Sequence, residues 1–280
     1  MRLINFPHLL GQKRLGVNKN GKYLKKVLKN EFIDVRCNNS IRNGYPNMVN
    51  NLWKLYRENI FHEKKINIGG DHSMSIATVA DSLNRTEEGE LKVLWFDAHP
   101  DINTYQSSPS KNFHGMPLSY LTGLDENDDF SFIINKLPIQ NIMYIGIRDI
   151  NKYEQKIIDK YDMWTITSDE VNDDPEECYH IIKSFVGNDP FHLSFDVDCL
   201  DPFIIPCTGT PVKNGLQLEQ TKDIIDKLLD KPNLINMDIT ELNLDIGSRY
   251  QQLTSLDNFL YLFDKHFEEK DNLNNNKHNI

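Results

Sequence analysis

Short apolar runs, each closed by a glycine or an aspartate, recur along this chain and limit how it can fold. They are Lys65-Ile66-Asn67-Ile68 before Gly69, Val93-Leu94-Trp95-Phe96 before Asp97, Ile142-Met143-Tyr144-Ile145 before Gly146, Phe191-His192-Leu193-Ser194-Phe195 before Asp196, and Leu234-Ile235-Asn236-Met237 before Asp238. Met163-Trp164-Thr165-Ile166 is a further candidate. Runs this short, rich in β-branched and aromatic residues, read as buried strands. Between them lie helical candidates at Ser73 to Leu83, Glu154 to Lys160, Leu218 to Leu229 and Asp257 to Phe267. Apolar residues at 218, 224, 225, 228 and 229 share one helical face. Strands alternating with helices predict an α/β three-layer sandwich, with a mostly parallel central sheet and helices on both faces. Such sheets bind ligands beyond the carboxyl ends of their strands. The unusual polar clusters of this sequence lie at those ends.

The 280 residues contain no internal repeat and no Pro- or Ser-rich linker, so one domain over 1–267 is expected, followed by a polar, Asn-rich and disordered tail at 268–280. The formal net charge is -10, from 31 basic and 41 acidic side chains. That excludes the basic footprint a nucleic-acid or anionic-membrane partner needs. No apolar run approaches the ~20 residues of a membrane span. Asn5, Pro7 and His8 interrupt the stretch Met1 to Leu10, which therefore does not read as a signal peptide. Cys37, Cys178, Cys199 and Cys207 form no C-x-x-C pair, so a reducing, cytoplasmic setting is expected.

Asp97-Ala98-His99-Pro100-Asp101 places three ligand types at alternate positions. In an extended segment residues i and i+2 point to the same side, so Asp97 and His99 face one point and Asp101 lies close by. Asp196-Val197-Asp198 repeats the device, and His72 follows Gly69-Gly70-Asp71 at another strand end. Carboxylates converging on one spot repel and resist ionisation. Divalent cations remove that conflict, and oxygen ligands with one or two imidazoles suit Mn²⁺ and related ions.

These segments resemble the three signatures of the ureohydrolases, the family of arginase, agmatinase and formiminoglutamase. The signatures are Gly69-Gly70-Asp71-His72-Ser73, Asp97-Ala98-His99-Pro100-Asp101 and Ser194-Phe195-Asp196-Val197-Asp198-Cys199-Leu200-Asp201-Pro202. The likeness runs from Gly11-Gln12-Lys13-Arg14-Leu15-Gly16-Val17 to about Asn243 and is nearest to the arginase branch. It implies two Mn²⁺ ions held by His72, Asp97, His99, Asp101, Asp196 and Asp198, with Asp97 and Asp196 bridging. It also implies hydrolysis of L-arginine to L-ornithine and urea by a hydroxide shared between the ions. The chemistry fits, because a guanidinium carbon is a poor electrophile and metals at ~3.5–4 Å separation make water a strong nucleophile at neutral pH. Asp101 resembles the carboxylate that relays a proton to the leaving nitrogen.

Further positions carry over residue by residue. Asn103, Ser108 and Ser110 match direct contacts to the substrate's α-carboxylate, and Asn112 matches a water-mediated one. His114 resembles a histidine assigned to proton shuttling or to contact with the substrate amine. Thr210, in Thr208-Gly209-Thr210-Pro211, lines the family site, and Glu241 matches the partner of the guanidinium, for which two parallel hydrogen bonds are suitable chemistry. Asp201 reads as structural, and of the other histidines His8, His62, His180, His266 and His278 read as surface or packing residues. In Ile145-Gly146-Ile147-Arg148-Asp149-Ile150-Asn151-Lys152-Tyr153-Glu154 the family's second Asp, which accepts the α-ammonium, is Asn151, while Glu154 is retained. Lys213-Asn214-Gly215 replaces the usual x-Gly-Gly. The alternatives are a hydrolase of another guanidino compound, agmatine among them, and a non-catalytic arginine-binding protein. A homo-oligomer, trimer or hexamer, is implied by the resemblance.

Overall fold

Eight strands form one sheet in the computed structural model, which describes residues 2–269. In chain order they are β1 Arg2–Phe6, β2 Phe32–Asp34, β3 Lys65–Gly69, β4 Lys92–Phe96, β5 Ile142–Ile145, β6 Trp164–Ile166, β7 Phe191–Asp196 and β8 Leu234–Thr240. Their spatial order is β2-β1-β3-β8-β7-β4-β5-β6, and every neighbouring pair is parallel. All six expected strands are present. β1 and β2 were not expected from the pattern: Asn5 interrupts the first, and the second is three residues long. Pairing supplies what local pattern lacks, since Val35 N donates to Asn5 O and Asn5 Nδ2 to Asp34 Oδ1.

The helices are α1 Asn20–Val27, α2 Gly44–Ile60, α3 Ser75–Arg85, α4 Pro117–Thr122, α5 Lys152–Tyr161, α6 Ser168–Asp173, α7 Pro175–Val186, α8 Leu218–Leu229 and α9 Arg249–Leu262. Strand alternation sorts the core into two layers. Val93 and Trp95 of β4 pack with Leu52, Val79 and Ile157 of α2, α3 and α5. Leu94 and Phe96 pack on the other face with Leu24, Ile182, Ile225 and Phe259 of α1, α7, α8 and α9. The last helix differs from expectation: it begins at Arg249 rather than Asp257 and ends at Leu262. A capping box explains the start, because Ser248 Oγ accepts from Gln251 N while Gln251 Oε1 accepts from Ser248 N. No helix among the described residues is long and apolar enough to cross a membrane. Most of the expected tail lies outside the described residues. Its first two residues are paired: Glu268 O accepts from Lys29 N, Glu268 N donates to Asn30 Oδ1, and Glu269 bridges to Leu28.

Close backbone packing sets the loop after β3. A Cβ on Gly70 would stand 1.8 Å from the carbonyl oxygen of His8, and backbone cannot move aside as a side-chain tip can. Gly70→Ala is therefore expected to destabilise the fold by about 3 kcal/mol. Gly44→Ala, at a helical position with nothing within 4 Å, should stabilise by up to about 1 kcal/mol. Urea-unfolding midpoints of the two variants check the contrast.

Candidate metal centre and substrate pocket

The motifs converge by a different local device from the one the sequence suggests. The chain does not stay extended through Asp97–His99 or Asp196–Asp198; it bends immediately after β4 and β7. Each leading aspartate accepts from the backbone N–H two residues on, Asp97 Oδ1 from His99 N at 2.7 Å and Asp196 Oδ1 from Asp198 N at 2.8 Å. These Asx turns swing the i+2 side chain beside the first. The two loops also brace each other, since Ala98 N donates to Asp198 Oδ1 at 3.2 Å.

Two ligand groups result, His72–Asp97–Asp196 and Asp97–His99–Asp198, with Asp97 common to both. His72 Nδ1 lies 3.0 Å from Asp97 Oδ2, 3.1 Å from Asp101 Oδ2 and 3.2 Å from Asp196 Oδ2. His72 is buried, and this nitrogen has no aligned hydrogen-bond partner. His99 Nδ1 stands 3.2 Å from Asp198 Oδ2 and 3.3 Å from Asp97 Oδ1. A buried imidazole nitrogen aimed at three carboxylate oxygens is the arrangement a divalent cation would satisfy. Four carboxylates and two imidazoles are a suitable donor set for one or two such ions.

The electrostatics carry the same signature. Burial, then the charges of Asp198 and Asp97, hold Asp196 well above the ordinary carboxylate range. Burial and the charge of Asp97 push Asp101 up to about 6. Burial would raise Asp97 too, but His72 and His99 flank it and bring it below its usual value. Burial would lower His72 and His99, yet the surrounding aspartates raise both. Asp101 and Asp196 therefore hold their protons to higher pH than isolated carboxylates do.

Above the ligands lies a cavity of about 260 Å³. His99, Asp101, Asp196 and Asp198 form its floor; Asn103, Ser108 and Ser110 form one wall; His114, Thr210, Asp149, Asn151 and Glu154 complete it. His72 and Asp97 sit beneath the floor. Asn112 lies outside this cavity and lines a neighbouring groove, and its backbone N–H donates to Ser110 Oγ at 3.2 Å. Glu241 is buried behind His114 rather than on the wall. Its Oε1 accepts from His72 N at 3.0 Å and faces His114 Nδ1 at 3.2 Å, and its Oε2 accepts from Gln12 Nε2 at 2.6 Å. Burial would lower the His114 pKa, but Glu241 raises it to about 9. Asp101 and Glu241 both take the left-handed backbone region, φ 50° and 64°. Aspartate visits that region readily and glutamate does not, so Glu241 is held there by its surroundings.

Several supporting residues were not singled out from the sequence. Trp95 stacks on His72 with ring centroids 4.3 Å apart and donates Nε1–H to Asp97 Oδ2 at 3.1 Å. Ser194 Oγ meets His72 Nε2 at 2.8 Å, and Asp149 Oδ2 stands 3.6 Å from His99 Nε2. Arg148 donates to the carbonyls of Gly146, Asp198, Cys199, Val212 and Lys213, clamping the Asp198 loop to its neighbours. The available signal was alternation: Ser194 precedes Asp196 by two on one strand and so shares its face. Gln12 had only its place in the Gly11–Val17 segment. Asp201 is structural as expected, accepting from Phe203 N and Gly215 N. Asn214 takes φ 62° where the family pattern has glycine, a conformation asparagine tolerates. His8 is fully buried against Phe6 and His192 lies in the core against Ser82 and Asp238.

The parallel α/β sheet thus carries a His/Asp centre suited to metal ions at its strand ends. The arginase family profile matches residues 11–255, and the chain belongs to the arginase family. The chain is 36% identical to the arginase of Neurospora crassa over 213 residues, 71% of this chain and 60% of that protein. It is 35% identical to the arginase of Entamoeba histolytica over 264 residues, 86% of this chain and 89% of that protein. The crystal structure of Entamoeba histolytica arginase in complex with L-ornithine superposes with a TM-score of 0.85 at 31% identity, covering 94% of this chain and 97% of that one. The match to the fungal relatives spans just under two thirds of their length, 60% for Neurospora crassa and 66% for Emericella nidulans.

Metal binding to the folded state should raise thermal stability by mass action. At a free ion concentration near 100 Kd the gain is about 2.7 kcal/mol, or roughly 5 °C or more in Tm for a chain of this size. Adding Mn²⁺ to chelator-treated protein is expected to produce that shift in a scanning-calorimetry trace. Asp97→Asn, which alters the ligand common to both groups, should abolish most of it.

Proposed function

We propose that the protein hydrolyses L-arginine to L-ornithine and urea, with two Mn²⁺ ions held by His72, Asp97, His99, Asp101, Asp196 and Asp198. One observation carries this reading: the cavity has chemically opposite ends. Its floor is carboxylate and imidazole. Its far wall carries hydroxyl and amide donors whose oxygens each already accept a hydrogen bond from the protein. Ser108 Oγ accepts from Lys111 N at 3.1 Å and Ser110 Oγ from Asn112 N at 3.2 Å, and the two hydroxyls lie 3.4 Å apart, so one proton bridges them and the other is free for a ligand. Asn103 Oδ1 accepts from Ser107 Oγ at 3.0 Å, which leaves the Asn103 amide N–H groups free. Such a wall suits a carboxylate, and such a floor suits a cationic guanidinium. The likeness to an arginase crystallised with L-ornithine supports the same substrate.

When bound, the cation pair supplies Lewis acidity that makes water nucleophilic at neutral pH, as a charge-delocalised guanidinium carbon requires. The protein's own groups do the rest. Asn103, Ser108 and Ser110 fix the carboxylate and so set how deep the guanidinium reaches. Asp101, on the floor, passes a proton to the leaving nitrogen. Glu241 already receives three donors, so of its roughly four acceptor positions about one remains. We assign it chiefly to holding His114 charged and directed at the cavity, with Gln12 fixing the carboxylate from behind.

Urea release from a panel of guanidino compounds tests the reading. Chelated protein should be inactive and Mn²⁺ should restore it, with L-arginine favoured over agmatine, which lacks the carboxylate, by at least roughly 100-fold. Ser110→Ala should raise KM for L-arginine several-fold with kcat little changed, because the contact is remote from the reacting carbon. Equal turnover of agmatine and L-arginine overturns the carboxylate assignment, and full activity in verified metal-free protein overturns the metal assignment.

A further inference from the structure

Asn151 is where the sequence departs from its family's pattern, and its amide is committed at both ends. Its Oδ1 accepts from two backbone donors, Tyr153 N at 2.9 Å and Glu154 N at 3.1 Å, as the N-cap of α5. A backbone N–H cannot reverse its role, so the atom facing those donors is the oxygen and the other end is the NH₂ group. That NH₂ donates to Asn103 Oδ1 at 3.1 Å. Asn103 Oδ1 takes a second hydrogen bond from Ser107 Oγ at 3.0 Å. The orientation of Asn103 follows from this chain of donors, with its oxygen locked inward and its NH₂ left for the cavity. At this position the wall therefore presents donors, and neither the Asn103 nor the Asn151 amide offers an ammonium group a free acceptor. Two carboxylates stand nearby with other commitments. Glu154 is buried and its Oε2 accepts from Asn151 N at 3.1 Å as the second half of the capping box. Asp149 is largely exposed and faces His99 Nε2 at 3.6 Å.

We propose that Asn151 is a specificity-determining residue that orients Asn103 toward the ligand's carboxylate and leaves the α-amino group without an ionic partner at this position. The pocket then takes ω-guanidino carboxylates as a class, with or without an α-amino group. This rests on the proposed guanidino-acid hydrolysis for its substrate, but its geometry concerns binding alone. A family-type aspartate here would still cap α5 and would turn an acceptor, in place of a donor, toward the cavity.

The experiment separates binding from turnover. Titration calorimetry on Mn²⁺-loaded protein measures L-ornithine against 5-aminopentanoate, which lacks only the α-amino group. Urea assays compare L-arginine with 5-guanidinopentanoate. The wild type is expected to bind the members of each pair within about five-fold of one another, the scale of one neutral hydrogen bond. Asn151→Asp should shift the preference toward the α-amino ligands by roughly ten-fold, the scale of gaining a charged acceptor. Asn151→Ser keeps a good helix cap but has no NH₂ for Asn103. It should weaken both members of each pair alike by several-fold, with an unchanged melting temperature. A wild type that rejects the des-amino ligands by more than about 50-fold overturns the proposal, as does an unchanged preference in Asn151→Asp. Wild-type affinities in Asn151→Ser overturn the orienting role. Binding ratios as expected with no urea from any compound support this proposal and overturn the hydrolysis reading. Binding of neither ligand overturns both.

Discussion

Four carboxylates meeting in one buried place are the constraint on which this molecule is organised. Asp97, Asp101, Asp196 and Asp198 are each less than a tenth exposed, and burying several like charges is costly unless each is paired and hydrogen-bonded. Much of the surrounding architecture reads as compensation. Asx turns give Asp97 and Asp196 a backbone N–H each, Ala98 N and Thr210 Oγ1 serve Asp198, and Trp95 serves Asp97. Arg148 spends its guanidinium on backbone carbonyls rather than on a carboxylate. It thus holds the Asp198 loop in place without neutralising the ligands that a cation needs.

The same demand extends into the sheet. On β7 and β8 the residues of one face are apolar, Leu193 and Phe195 with Met237 and Ile239. Those of the other face are His192, Ser194, Asn236 and Asp238, all buried beneath α3. They form a connected polar stripe: His72 Nε2 meets Ser194 Oγ, Ser75 and Thr78 donate to Asp238 Oδ2, and His192 Nε2 lies 3.1 Å from the same oxygen. A buried polar network is stabilising only when its members are satisfied. Here it fixes the ring of His72 from behind, so that the nitrogen facing the aspartates is the one with no other partner.

The sequence makes the central strands and the ligands legible because both are written in short, local patterns. An apolar run of four or five residues followed by a polar ligand is a strand end whatever surrounds it. Edge elements are less legible. β2 is too short to carry a period, and β1 gains its stability from parallel pairing with β2 and β3, which no local window contains. The convergence of Asp97 with His99 was read correctly in outcome and wrongly in cause, since a bend replaced the extended segment. The hydrogen-bond partners of Glu241, and the part Gln12 plays in holding it, were not legible in the local pattern. Whether a side chain lines a cavity or stands behind it depends on contacts between segments as distant as Gln12 and Glu241. Asn151 shows the same limit: its type was visible, but the direction of its amide is set by where α5 starts.

The donors around Asn103 meet a carboxylate with neutral groups. Among the described residues no lysine or arginine lines the cavity, and the charge of His114 is offset by Glu241 behind it. An unpaired cation on the wall would compensate a carboxylate strongly, but it would also repel a guanidinium held a few bonds away in a poorly screened space. Neutral donors avoid that conflict if they point the right way, and a hydroxyl or amide is free to turn. Backbone geometry removes the freedom. Lys111 N and Asn112 N occupy the oxygens of Ser108 and Ser110, and the first turn of α5 occupies the oxygen of Asn151, which in turn fixes Asn103. Each oxygen is turned toward a protein donor, which leaves the donor end of the group for the ligand or, between Ser108 and Ser110, for its neighbour. The recognition of a charged ligand end is thereby transferred from side-chain charge to the start of a helix and the turns of one loop.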